Sequence, residues 1–177
     1  MNRIQLSQNF YLDEFTRSQT AARHGIEIVV APDSQVFHNL KRLCIEVLQP
    51  IRDALGPISI SSGYRPAEVN RLIGGSKTSV HVLGLAADFT VAGKTPYEVA
   101  QWIAENNGSR TPYRKPLWFD QCIHEFGRWV HIGLVDTDKV PRRQLLTAYK
   151  RRSRLPLKRP KTIYIPGIHR IQDLQKD

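Results

Sequence analysis

Three side chains with metal-ligating chemistry stand in two short runs. His81 and Asp88 flank Gly84 in SVHVLGLAADF, and His131 sits in RWVHIGL. An imidazole pair with a carboxylate suits zinc, and Gly84 lets the chain between the first two turn back. Period-two patterning places the ligands. In the run 86–91, Ala87, Phe89 and Val91 share one face of a strand, and Ala86, Asp88 and Thr90 share the other. In the run 128–134, Val130, Ile132 and Leu134 oppose Trp129, His131 and Gly133. Each strand thus buries an apolar face and turns one ligand the other way. If the two are neighbours in a sheet, Asp88 and His131 enter one cleft, and His81 arrives from the preceding loop. Three protein ligands leave a fourth position for water, the catalytic form of a zinc site. Any one of these residues alone reads as a hydrogen-bonded structural group. Together with Ser79, Gly84 and the Tyr64-Arg65 pair they read as a metal site.

The surrounding string carries a resemblance. SGYR, then Asn70, Gly74-Gly75, S-x-H-x-x-G-x-A-x-D and a later W-V-H resemble the zinc D-Ala-D-Ala carboxypeptidase and L-alanyl-D-glutamate endopeptidase group, which cuts peptidoglycan peptides. The N-terminal LSQNFYLDEFTRSQTAARHGI looks like the phage and bacterial, endolysin-containing branch of that group. The likeness spans roughly residues 6–134. It implies Zn2+ on His81, Asp88 and His131, and metal-assisted amide hydrolysis of peptidoglycan stem peptides. It makes Arg65 the substrate-gripping arginine, whose planar fork suits a carboxylate or carbonyl oxygen. Ser79 and Tyr64 become substrate-binding candidates, with Ser79 also able to orient a ligand. Several relatives place an acid three positions before the last histidine. Arg128 stands there and cannot act as a base. Glu125, at the end of the strand before the turn, is therefore the candidate general base, with His124 next in line. A pairing of Glu125 with Arg128 across the turn is the bland alternative.

Elements that could position these groups follow from pattern. Asp33-Ser34 caps a helix whose apolar stripe runs from Val36 to Leu55. Pro50 should kink or split it, and Gly56 should stop it. The run 58–62 alternates as a strand and delivers Tyr64 and Arg65. Pro66 opens a short helix, and Thr95-Pro96 opens another with Val99, Trp102 and Ile103 inward. Residues 119–125 and 128–134 form a hairpin about Gly127. Residues 1–25 read as a docking arm with two short helical turns. The loop 109–116 is basic and proline-bearing. The expected fold is α+β: a small, mainly antiparallel sheet carries the metal site, and helices pack on the other face.

The chain's 177 residues, 41% hydrophobic and 24% charged, suit a soluble globular domain. No apolar run approaches a membrane span, and MNRIQLSQNF has no apolar signal core. The expected setting is synthesis in the cytoplasm without a signal peptide, followed by action on the cell wall after release, or association with a virion. Cys44 and Cys122 lie in apolar segments and read as free buried thiols. Residues 141–177 hold eleven Lys or Arg against two Asp, whereas residues 1–140 hold fifteen basic and fourteen acidic groups. This charge contrast predicts a peptidase-like domain over 1–140 and a basic, proline-containing C-terminal tail over 141–177, with 144–149 helical. Tyr149, Ile163, Tyr164, Ile165 and Ile168 interleave apolar groups. The tail therefore suits a polyanionic partner, either wall polymer or nonspecifically bound nucleic acid, or a neighbouring virion subunit. A second reading makes the chain a phage virion or tail structural protein that keeps a peptidase-like fold.

Overall fold

The computed structural model describes residues 3–107, 117–151 and 160–175. The loop expected over 109–116 lies outside the described residues. So does most of the Arg- and Lys-rich stretch after Arg151.

The architecture is α+β, as the patterning implies. A hairpin of β1 (Gln5–Ser7) and β2 (Phe10–Tyr11) leads into α1 (Leu12–Phe15) and α2 (Gln19–Arg23). Here the expected arm docks through Leu6, Phe10 and Phe15, all buried in the common core. Helix α3 (Gln35–Leu43) starts where Ser34 Oγ accepts the Phe37 N–H. A π-helical segment (Cys44–Leu48) follows, and then α4 (Gln49–Leu55). Pro50 explains that segment. It has no N–H for the Glu46 carbonyl, and its ring crowds that oxygen, so the preceding turn widens. The Gln49 N–H accordingly reaches five residues back to the Cys44 carbonyl. Gly56, at φ 108°, ends the helix.

The main sheet has six strands in the order β3 (Ile58–Ser62), β4 (Ala86–Val91), β6 (Trp129–Gly133), β5 (Gln121–Glu125), β7 (Gln144–Arg151) and β8 (Lys161–Pro166). All pairs are antiparallel except β5 with β7. Between β3 and β4 come α5 (Ala67–Leu72) and a 3-10 turn (Val80–Leu83). Pro66 occupies the N-cap of α5 rather than its first turn. Helix α6 (Pro96–Glu105) opens on a capping box between Thr95 and Glu98. Ala87, Phe89, Val91, Val130 and Ile132 meet the helices in one buried cluster, while Asp88 and His131 face the other way. Cys44 and Cys122 are free and buried, and burial pushes both thiols up.

The C-terminal segment departs from expectation. Residues 144–149 are strand, not helix, and the sheet runs across the expected boundary near residue 140. Thr147 and Ala148 are fully buried. Thr147 Oγ1 donates to the Gly167 carbonyl and accepts the His169 N–H. Ile168 packs on the core, and α7 (Ile171–Leu174) closes the described chain. Several of the basic groups are tied into the fold. Arg142 pairs with Asp120, Arg143 covers the Trp118 ring, and Arg170 covers Tyr97. A free tail over the described part of 141–177 is thus replaced by two strands, a short helix and their contacts.

Candidate metal centre

The ligand candidates meet because register puts two of them side by side. Asp88 on β4 is directly opposite His131 on β6, so both side chains leave the same face. His81 arrives on the 3-10 turn, which is fixed on two sides. Asn39 Nδ2 of α3 donates to the Leu83 carbonyl at 2.8 Å. Gly84 ends the turn at φ 71°, where a Cβ would also stand 2.9 Å from the Val36 carbonyl oxygen. Glycine is required there for both conformation and space. Gly63 is required for space alone, because a Cβ would fall 2.6 Å from the Phe15 backbone. That close approach brings the Gly63 carbonyl to His81 Nδ1, at 2.7 Å.

The three ligand atoms form a tight triangle. His131 Nδ1 lies 2.8 Å from Asp88 Oδ1, and His81 Nε2 lies 3.3 Å from the same oxygen. The two histidine nitrogens are 3.2 Å apart. Bonds of about 2.0–2.1 Å to one tetrahedral zinc separate ligand atoms by about 3.3 Å, so the triangle is nearly one face of that tetrahedron. Hydrogen bonding points the same way. A neutral His81 that donates its Nδ1–H to Gly63 turns an unprotonated Nε2 toward the Asp88 carboxylate. Burial pushes the His81 pKa down, and Asp88 only partly opposes this. Burial alone would raise Asp88, but His81 and His131 hold it well below the ordinary carboxylate range. A metal ion bound between that lone pair and the carboxylate oxygen, or a proton on Nε2, would relieve their repulsion, and the two imidazoles and one carboxylate form a donor set that fits zinc. The Gly63 carbonyl supplies the outer contact that fixes the imidazole of a zinc ligand. His81 shows only 2% of its side chain, whereas Asp88 and His131 show 13% and 11%, so the centre opens to solvent on their side.

Arg65 enters from the end of β3. Its backbone N–H donates to the His81 carbonyl, and its Nη2 donates to Ser79 Oγ at 3.2 Å. Ser79 therefore braces Arg65 directly. Nη1 is 3.9 Å from Asp88 Oδ2, a long contact, and Nε is buried without a hydrogen-bond partner among the described residues. Burial lowers the Arg65 pKa, with Asp88 and Glu125 opposing. A half-buried guanidinium thus stands beside the three candidate ligands, with Nη1 in only a long contact. Arg65→Lys keeps the charge but loses the fork. The expected result is a roughly 10- to 100-fold fall in kcat/KM with zinc content unchanged, read by steady-state kinetics and metal analysis on the same samples.

Glu125 shares the face of His131, two residues along β5 from Ile123, which pairs with His131. Burial and the Asp88 charge raise its pKa, and His131 and Arg65 partly offset them. Arg128 is exposed in the turn, and its N–H donates to the Glu125 carbonyl. His124 points to the opposite face, where it meets the Tyr97 ring and the His169 carbonyl, so it cannot serve the centre. Tyr64 is not brought in through its side chain. It packs against the core, and its N–H donates to the Phe15 carbonyl. Sequence reading missed the roles of Gly63 and Asn39. The only signal for Asn39 was an amide within an apolar helical stripe.

Three candidate ligands with an open side, a half-buried carboxylate and an arginine beside them are the parts a metallopeptidase uses. The chain belongs to the Peptidase M15 family, whose model matches residues 8–133, more than half of the protein. These are zinc-dependent peptidases of the D-Ala-D-Ala carboxypeptidase and endopeptidase type. No curated protein matches the chain.

Proposed function

We propose that this protein hydrolyses amide bonds in peptidoglycan stem peptides, as an endopeptidase or carboxypeptidase of the endolysin-like kind. The observation that carries this reading is the triangle of His81 Nε2, Asp88 Oδ1 and His131 Nδ1, open on the side where Arg65 and Glu125 stand. A zinc ion held there supplies Lewis acidity and lowers the pKa of water toward neutrality. The protein's own groups do the rest. Arg65, braced by Ser79, binds a substrate carboxylate or carbonyl oxygen and fixes the peptide's direction. Glu125 takes the proton of the attacking water and returns it to the leaving amine. Its raised pKa suits both halves of that transfer. Among the described residues no helix is long and apolar enough to cross a membrane. The solvent-facing Lys150, Arg151 and Lys161 suit attachment to anionic wall polymer. Digestion of purified cell walls, followed by the release of free amines, tests the proposal. Zinc-dependent release that chelator abolishes is expected, and a salt series on the same walls reads the attachment. Walls left intact by the zinc-loaded protein would refute the substrate assignment.

A further inference from the structure

The family match ends at residue 133, and strands β7 and β8 lie beyond it. They extend the sheet on the side of Glu125. Directly opposed residues of neighbouring strands share a face. The row through Glu125 therefore continues to Ala148 on β7 and Tyr164 on β8, all on the face of Asp88 and His131. The middle place carries only a methyl group, and Ala148 is fully buried. No long side chain in that row separates Tyr164 from Glu125. Tyr164 is 54% exposed, so its ring also meets solvent. Burial, together with the Glu125 and Asp88 charges, pushes the phenol pKa up. The hydroxyl keeps its proton and acts as a donor. Arg65 stands at the other end, beside β3.

We propose that β8 forms one wall of the substrate cleft, and that the Tyr164 hydroxyl donates a hydrogen bond to a backbone carbonyl of the bound stem peptide, on the side of the metal centre away from Arg65. This deepens the peptidase reading above and rests on it. A neutral hydrogen bond made equally in the ground and transition states acts on binding, so it appears in KM. The test compares wild type with Tyr164→Phe, which keeps the ring and removes only the hydroxyl. A D-alanine-terminated stem pentapeptide is the substrate, and zinc content and Tm are measured on the same samples. Calorimetric titration of that peptide into zinc-loaded Glu125→Gln, with and without Tyr164→Phe, reads binding apart from turnover. The expected result is a KM raised about 3- to 10-fold, with kcat much less affected and peptide Kd weakened by the same factor. Unchanged KM and Kd overturn the inference, as does a fall in kcat that tracks a fall in Tm. If wild type neither binds nor cleaves the peptide, the peptidase reading fails and the inference falls with it. Wild-type cleavage that is indifferent to Tyr164→Phe sinks the inference alone.

Discussion

Glu125→Gln is expected to retain zinc and fold normally while losing on the order of 100- to 10,000-fold in kcat, the usual contribution of a positioned acid-base group. The amide is isosteric and fills the same place on β5, but it cannot accept and return a proton. No other carboxylate is placed to substitute among the described residues. Asp88 is committed to the two histidines, and the acid found three positions before the last histidine in several relatives is replaced here by the exposed Arg128. The pH profile gives an independent check. Burial and the Asp88 charge raise the Glu125 pKa. Activity carried by its ionised form is present above that pKa and is lost as pH falls through it, in a range above the ordinary carboxylate value. The residual activity of Glu125→Gln should lack this limb. If the variant turns over like wild type with its zinc retained, the base lies elsewhere.

Deletion of residues 141–177 is expected to abolish folding rather than to release a tail. It strips β7 from the edge of β5, leaving the ladder 121–125 unpaired on that side. It also removes the fully buried Thr147 and Ala148, the packing of Ile168 on the core and the Arg142 partner of Asp120. Newly unpaired ladder groups on β5, at about 1–3 kcal/mol each where they stay buried, add to the lost apolar contacts and together are comparable to the roughly 5–15 kcal/mol by which domains are stable. Circular dichroism and thermal melting of the truncated chain check this. A truncated protein with a sharp native melt near that of the full chain would show that residues 1–140 suffice.

The centre was legible because its rules are local. Asp88 and His131 each interrupt a period-two apolar pattern, and two such strands with ligands on their polar faces need only pair in register. The register is Asp88 opposite His131. His81 was legible from its spacing to Gly84 and Asp88. The helix 35–55 was legible from its cap, stripe and stop, and Pro50 announced the disturbance that appears as a π-helical turn.

What escaped was non-local. β7 runs parallel to β5 but is reached only after β6 and a connection, so no adjacent turn announces it. Its sequence, QLLTAYKR, does not alternate: Leu145 and Leu146 are half-buried on opposite faces, and the adjacent Thr147 and Ala148 are both buried. Such a run reads as readily as helix. In β8 the alternation of Thr162 and Tyr164 with Ile163 and Ile165 was present, but prolines and charge outweighed it. The hairpin of β1 and β2 is too short for any period to register. Tyr64 was grouped with Arg65 by adjacency, yet neighbouring residues leaving a strand face opposite ways, and only Arg65 turns to the centre.

The most direct test of the account is zinc analysis of the purified protein beside His81→Ala and Asp88→Asn, each dialysed with limiting zinc after chelator treatment. One zinc per wild-type chain and a large loss of bound zinc in both variants are expected, because His81→Ala removes one of three donor atoms that lie within 3.3 Å of one another and Asp88→Asn replaces an anionic oxygen with a neutral amide. Equal zinc content in wild type and His81→Ala would contradict the centre described here.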